Sequence, residues 1–482
     1  MLFNSLPFLI FLPLFLLGFA LTRGRARLAF TLAGSYLFYG WWDWRFLGLI
    51  ILSTLVDYTA GRAMAATDDL GLRRRWLTLS VVTNLGILGF FKYANFFADS
   101  LVAAAHTLGI EIPPFALHVV LPVGVSFYTF QTMSYTLDLY RDRVEVEPSL
   151  LRFATFVAFF PQLVAGPIVR AAHLLPQLRR GPRWTREDVV MGVGLILLGF
   201  VKKVAIADSL APVADRVFAD PGVLGAPMLV LGVLFYAFQI YCDFSGYSDI
   251  AIGLGRILGF HFPWNFDRPY FSRSFSEFWT RWHITLSRWL RDYLYIPLGG
   301  NRLGRARTLR NLMVTMLLGG LWHGAAWTFV FWGGLHGLYL VAQRLLTRIW
   351  PQGGDVMAGA LAMRPPQRAR QMMRAFAQAA TVFVLTCVAW VFFRAPDFPT
   401  AWTVLAGIGT WTPGPVVLRV EVAKGLLLIA ALVAAEAVSF RVHIGEWLLR
   451  SPGGRILAYA ALLWIIALAG TFDGGQFIYF QF

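Results

Sequence analysis

Apolar blocks follow one another along this chain with short polar connections between them. Leu6–Leu21, Leu28–Gly40 and Phe46–Ala60 come first. Trp76–Phe97, Val119–Leu139 and Val189–Ala207 follow, and then the long block Met228–Leu258, interrupted by polar residues around Asp243. Phe376–Phe393, Gly425–Phe440 and Ile456–Phe472 complete the series. A helix needs about 20 residues to cross about 30 Å of hydrocarbon. The two shortest of the first three blocks, Leu28–Gly40 and Phe46–Ala60, fall well below this, which predicts a locally thinned bilayer or helices covered by their neighbours.

Arginines punctuate the blocks. Arg73, Arg74 and Arg75 form one basic turn, and Arg170, Arg179, Arg180, Arg183 and Arg186 a second. Arg364, Arg368, Arg370 and Arg374 form a third, and Arg441, Arg450 and Arg455 a fourth. Basic connections stay on the cytoplasmic side. The blocks then alternate correctly if two further apolar stretches enter and leave on that same side. One is Leu150–Val169, which contains Pro161, Gly166 and Pro167; the other is Asn311–Leu346, read as broken at Gly319, Gly320 and Gly324. Non-helical backbone survives at membrane depth only where protein or water covers it. Re-entrant segments therefore imply a bundle with a cavity. The scheme places Asp208, Asp215 and Asp220 outside. The first basic residue, Arg23, comes after the first block. A cleaved signal carries its charge before the apolar run, so Leu6–Leu21 is read as a retained span with its N-terminus outside.

Composition narrows the class. The chain has 482 residues, 57% of them hydrophobic and 14% charged, against about 25% charged in soluble domains. A disordered chain, a disulfide scaffold and an ordinary cytosolic enzyme are excluded. The two cysteines, Cys242 and Cys387, lie in apolar runs and read as small core residues; no metal site is expected from them. The net charge of +16 does not point to nucleic acid, because the arginines sit between apolar blocks. The expectation is one all-α domain over residues 1–482, with its core motifs at 150–345 and its flexible loop at Gly353–Arg370.

Ionisable groups at membrane depth are costly and mark functional sites. The polar stretch His261–Arg310 holds nine arginines and four tryptophans. Within it, residues 277–292 placed on a helix put Arg281, Thr285, Arg288 and Asp292 on one face. Trp282, Leu286, Trp289 and Tyr293 fall on the other, as in a helix lying at the interface. His283 would then point into the bundle. His323 lies in Leu317–Trp327, among glycines and alanines that let backbones approach closely. A buried imidazole there stays neutral, the form that serves as a general base. A satisfied core histidine is the plainer account of each. His336 is a third candidate, for which packing is favoured, and spacings of 40 and 13 residues match no local metal motif. Asp57, Lys92 and Asp138 are explained by snorkelling or pairing near span ends. Asp243 and Asp249 read as hydrogen-bonded helix packing or, alternatively, as the lining of a reaction chamber. His106, His118, His173, His261 and His443 need no special role.

Four motifs occur in order: Pro161-Gln162-Leu163-Val164-Ala165-Gly166-Pro167-Ile168; Tyr241-Cys242-Asp243-Phe244-Ser245-Gly246-Tyr247; Phe278-Trp279-Thr280-Arg281-Trp282-His283-Ile284-Thr285-Leu286-Ser287, continued by Trp289 to Gly300; and Leu321-Trp322-His323-Gly324. With the ending Phe477-Ile478-Tyr479-Phe480-Gln481-Phe482, the series resembles the membrane-bound O-acyltransferase family, in particular its alginate O-acetyltransferase branch. The resemblance implies a polytopic ring of about 10–12 tilted helices with re-entrant segments and a thinned centre crossed by a tunnel. It makes His323 the catalytic residue and His283 its companion. It implies a bacterial inner-membrane enzyme that moves an acetyl group from a cytoplasmic thioester to a periplasmic acceptor.

That acceptor would be a serine of a periplasmic acetyltransferase partner within a polysaccharide export complex. No cofactor is expected to be held tightly. Acetyl-CoA, or another acyl thioester, would be the donor, held at Arg281, Trp282, Arg288 and Arg291. His323 would act as general base or, in a nucleophilic variant, form an acyl-imidazole. His283 would orient the thioester or stabilise the oxyanion. Three alternatives stay open: D-alanyl or other acyl transfer from a small carrier protein to a cell-wall polymer, transport of an acyl group without bond chemistry, and a scaffold.

Overall fold

The computed structural model describes residues 1–111, 113, 119–346, 365–440, 449–472 and 477–478, with the side chains of 365–368 left aside. Arg364, Arg441, His118, His443, residues 479–482 and most of the loop read at Gly353–Arg370 lie outside these residues. The described residues form helices and no strands. Among the described residues, seven helices are long and apolar enough to cross a membrane: Trp44–Ala65, Leu70–Thr107, Arg186–Ala219, Ala226–Ile257, Ala369–Arg394, Arg419–Ser439 and Pro452–Ala469. The other three blocks are shorter helices, Leu6–Leu21, Gly24–Gly40 and Val125–Tyr140, of 16, 17 and 16 residues. At 1.5 Å per residue they reach only about 25 Å.

Ala226–Ile257 runs through the core. Its partner Arg186–Phe200 lies almost against its backbone, because glycines face glycines. A Cβ on Gly199 would stand 2.5 Å from the carbonyl oxygen of Gly246, and one on Gly253 would stand 2.6 Å from that of Gly192. Just beyond, the π-helical turn Val201–Ala207 aims two adjacent lysines at the same neighbour. Lys202 pairs with Asp249 at 2.7 Å, and Lys203 with Asp243 at 2.6 Å and Asp208 at 2.9 Å. Asp243 and Asp249 are thus packing ion pairs, the plainer of the two readings. Lys203 also holds Asp208, at the end of its own turn, beside Asp243.

The stretch 150–169 is broken as expected. Leu150–Ala158 gives way at Phe159 to the single turn Phe160–Leu163. Side chains take over the backbone groups that the break releases. Gln131 and Gln162 donate to the Phe156 carbonyl at 2.8 and 2.9 Å, and the Phe160 amide donates to Ser35 at 3.2 Å.

The second stretch is a helical hairpin, Arg305–His323 and Trp327–Leu345. The chain turns over Gly324–Ala326, so both outer ends lie on one side. Gly319 and Gly320 do not break the helix as expected. Gly320 instead admits the returning arm, since a Cβ there would meet the Phe329 carbonyl oxygen at 2.3 Å.

The expected single helix over 277–292 is also corrected. Two short helices, Phe275–Arg281 and Ile284–Leu290, meet at Trp282 and His283. Helices absent from the span count, Ala171–Arg180 and Phe398–Gly409, complete the packing. Asp57 and Asp138 are paired. Asp57 accepts from Ser80 at 2.6 Å and Asn84 at 2.9 Å, and Asp138 accepts from the Tyr293 hydroxyl at 2.6 Å.

Candidate active site

His323 is the last residue of its helix, at the tip of the hairpin. About 27 Å of helix separates it from Arg305 at the other end. His283 comes from the break between the two short helices. Its backbone is left-handed, φ 42° and ψ 54°, a conformation that costs a non-glycine residue about 1–3 kcal/mol. Such strain persists only where the surroundings over-determine it, and here Asn265 does so. The Asn265 carbonyl accepts from the Ile284 amide at 2.9 Å. Its side-chain oxygen accepts from the Thr285 hydroxyl at 2.9 Å and meets His283 Nδ1 at 3.1 Å. Its amide nitrogen donates to Ser248 at 3.1 Å. An amide oxygen can only accept, so His283 donates from Nδ1, and in the neutral ring the lone pair sits on Nε2.

This arrangement brings the two histidines together from 40 positions apart, with ring centroids 6.3 Å apart. Aromatic rings enclose them. The imidazole of His323 meets Trp322 and Trp332 edge-on at 5.0 Å and Phe393 at 5.5 Å. That of His283 meets Phe244 at 4.6 Å. His323 stands on the wall of a cavity of about 600 Å³, whose lining includes Lys92, Ser126 and Trp322, with the indoles of Trp41 and Trp42. His283 is fully buried, one ring behind it. The pair therefore combines a proton-accepting group that is reachable from a cavity with a second imidazole of set tautomer.

The other sequence-derived candidates are placed differently. Trp282 is buried, stacked on Phe278 at 5.6 Å and 5.0 Å from Trp390. Trp390 in turn packs against the wall of His323, so Trp282 belongs to the surround of the pair. Arg281 is tied to Glu277 at 2.9 Å. Arg288 and Arg291 are exposed. Arg291 bonds Asp292 at 2.8 Å, as Arg170 does on the other side, also at 2.8 Å. Burial works against the Asp292 carboxylate, but these hydrogen bonds outweigh it and hold the group below the usual carboxylate range.

His336 stacks on Phe278 at 5.8 Å and touches Trp279 and Trp332, consistent with packing. Among the described residues, no three His, Cys, Asp or Glu side chains are grouped as metal ligands would be. Sequence reasoning missed Asn265 entirely. Its only signal is an amide residue between Trp264 and Phe266 in a segment otherwise rich in rings and arginines.

The sequence model of the membrane-bound O-acyltransferase family matches residues 36–363. A probable alginate O-acetylase of Azotobacter vinelandii is 47% identical over 423 residues, covering 86% of this chain and 79% of that protein. A peptidoglycan O-acetyltransferase of Helicobacter pylori is 34% identical over 442 residues, covering 85% and 80%. A teichoic acid D-alanyltransferase of Streptococcus thermophilus is 33% identical over 236 residues, covering 45% and 56%.

Proposed function

The chain belongs to the membrane-bound O-acyltransferase family, and from that premise we propose that it carries an acetyl group from a cytoplasmic thioester across the inner membrane, for O-acetylation of an exported polysaccharide such as alginate. It is a multi-pass membrane O-acyltransferase; donor, direction and acceptor are our reading. One observation carries it: two histidines meet at 6.3 Å, one of them on a cavity wall.

In this reading His323 removes the proton of an acceptor hydroxyl that enters through the cavity. The hydroxyl oxygen attacks the thioester carbonyl, the carbon–sulfur bond breaks, and the leaving thiolate takes the proton from His323. His283 orients the thioester. Its Nδ1–H is committed to Asn265, so a neutral ring accepts at Nε2 and has no second N–H for an oxyanion. That favours the orienting role over the oxyanion role.

The hairpin supports a direction. Its outer ends carry Arg305, Arg307, Arg310 and Arg344, which belong on the cytoplasmic side, and His323 lies at the opposite tip. The cavity and the N-terminus then face the periplasm. Donor phosphates would be drawn to the basic end, where Arg288 and Arg291 are exposed. The acceptor there is a serine hydroxyl of a periplasmic partner, within a polysaccharide-modifying complex. A carrier-protein thioester would use the same basic end; D-alanyl transfer, the activity for which a relative is named, is the second reading.

The test uses purified protein in lipid vesicles with radiolabelled acetyl-CoA. The intact chain should move label from CoA to a hydroxyl acceptor. His323→Ala should abolish transfer while still inserting and binding its partners. Transfer at the normal rate by this variant would remove the general base. Absence of any thioester use by the intact chain would favour a transporter.

A further inference from the structure

An α-helix leaves its last four carbonyls without intrahelical partners. In Arg305–His323 all four can be followed. The Gly320 carbonyl accepts from the Gly324 amide at 3.4 Å. The Leu321 carbonyl accepts from the Tyr93 hydroxyl at 2.8 Å. The carbonyls of Trp322 and His323 both accept from Lys92 Nζ, at 2.7 and 3.0 Å. Lys92 also reaches the Ser126 hydroxyl at 3.5 Å and lies 5.9 Å from the Trp322 ring centroid. An ammonium has three donors, and these three oxygens engage them.

Two neighbouring residues of one helix do not ordinarily face the same way. Here they do, because Gly89–Tyr93 is a π-helical turn within Leu70–Thr107. Inserted turns of this kind gather at functional sites. The lysine lies well inside this helix, and its pairing with these carbonyls is one of the two accounts that its sequence position allows. It is half-buried on the cavity wall at the C-terminal end of a helix dipole, where a cation is favoured.

From this we infer that Lys92 is a positioning residue for His323: its ammonium holds the terminal carbonyls of the catalytic helix and so sets the backbone from which the imidazole projects into the cavity. The inference rests on His323 being the base. Lys92 has no N–H to spare for substrate, so its loss should act on turnover and not on binding.

The experiment measures steady-state acetyl transfer in vesicles, in a background lacking Cys242 and Cys387. Activity of the intact chain and its loss in His323→Ala establish the underlying reading first; if that fails, the failure shows in those two samples. Lys92→Met keeps the length of the side chain and removes its donors. It should lower kcat by about 10–100-fold, the scale of a small misplacement of a catalytic group, with KM for the donor unchanged. Lys92→Arg, which keeps charge and donors, should retain most of kcat. Lys92→Cys should be as impaired as the Met variant, and alkylation with 2-bromoethylamine, which rebuilds an ammonium at that position, should restore turnover in the same sample. Normal kcat in Lys92→Met overturns the inference. So does equal loss in the Met and Arg variants, or failure of the rebuilt ammonium to restore activity in folded protein.

Discussion

His323 sits where a helix runs out of its own hydrogen bonds, and His283 where the backbone is forced out of the helical region. Both are held by side chains from elsewhere, which allows a sharp test of how Asn265 acts. If Asn265 works by fixing the ring of His283, its effect on turnover should vanish once that ring is gone. His283→Ala should cut kcat by roughly 100-fold, within the range for a lost acid–base or orienting group. Asn265→Ala should cost about 10-fold on the same scale. The double variant should match His283→Ala alone, because residues acting as one unit are not additive. Independent, multiplying effects would confine Asn265 to stability, and unchanged turnover in His283→Ala would leave that histidine a packing role. None of this was legible from residue spacing. Arg281, Thr285, Arg288 and Asp292 mimic a helical face, and nothing local announces that the helix stops at His283.

Among elements, the hairpin depends on a contact that only glycine permits. A Cβ at Gly320 would collide with the Phe329 carbonyl oxygen at 2.3 Å, whereas one at Gly334 would meet Leu317 at an ordinary 3.4 Å. Gly320→Val should therefore push Trp327–Leu345 away and displace His323. The expected cost is about 1–3 kcal/mol, as for overpacked cores. It would be read as a lower midpoint in thermal unfolding followed by tryptophan fluorescence, with transfer lost. Gly334→Ala should change neither, and a normal midpoint in Gly320→Val would refute the tight crossing. The apolar blocks themselves were readable. Leu6–Leu21 has the same bounds in sequence and structure, with Ser5 capping its start, because length and hydropathy are local properties. The breaks were harder to place. Pro161 and Pro167 mark the first stretch correctly and Gly324 opens the turn of the second, but Gly319 and Gly320, which read as part of that break, serve close packing. A glycine reads the same in either role until its neighbour is known. The pairing of Lys202 and Lys203 with carboxylates on Ala226–Ile257 likewise depends on which helices meet.

For the whole molecule the open question is which face is which, and the answer decides whether the enzyme moves its acyl group outward. The cavity lies beside the N-terminal residues and Leu121–Gly124, while the arginines of the hairpin lie about 27 Å away along a helix. If those arginines are cytoplasmic, acceptor and donor approach the histidine pair from opposite sides. Chemistry and translocation then become one event: the acyl group changes compartment by changing partner, and nothing larger has to cross. Two single cysteines, in a background free of Cys242 and Cys387, test this. Val120→Cys is at an exposed position next to the cavity, and Arg307→Cys is at the exposed basic end. In intact spheroplasts a membrane-impermeant maleimide should label the first and spare the second. After permeabilisation it should label both. The reverse pattern would place the cavity in the cytoplasm, and the enzyme would then acylate an acceptor before export. Labelling of both in intact cells would place the basic end of the hairpin on the same side of the membrane as the cavity, and donor and acceptor would not approach from opposite sides. Only the first outcome is compatible with an acetyl group that leaves the cell interior through His323.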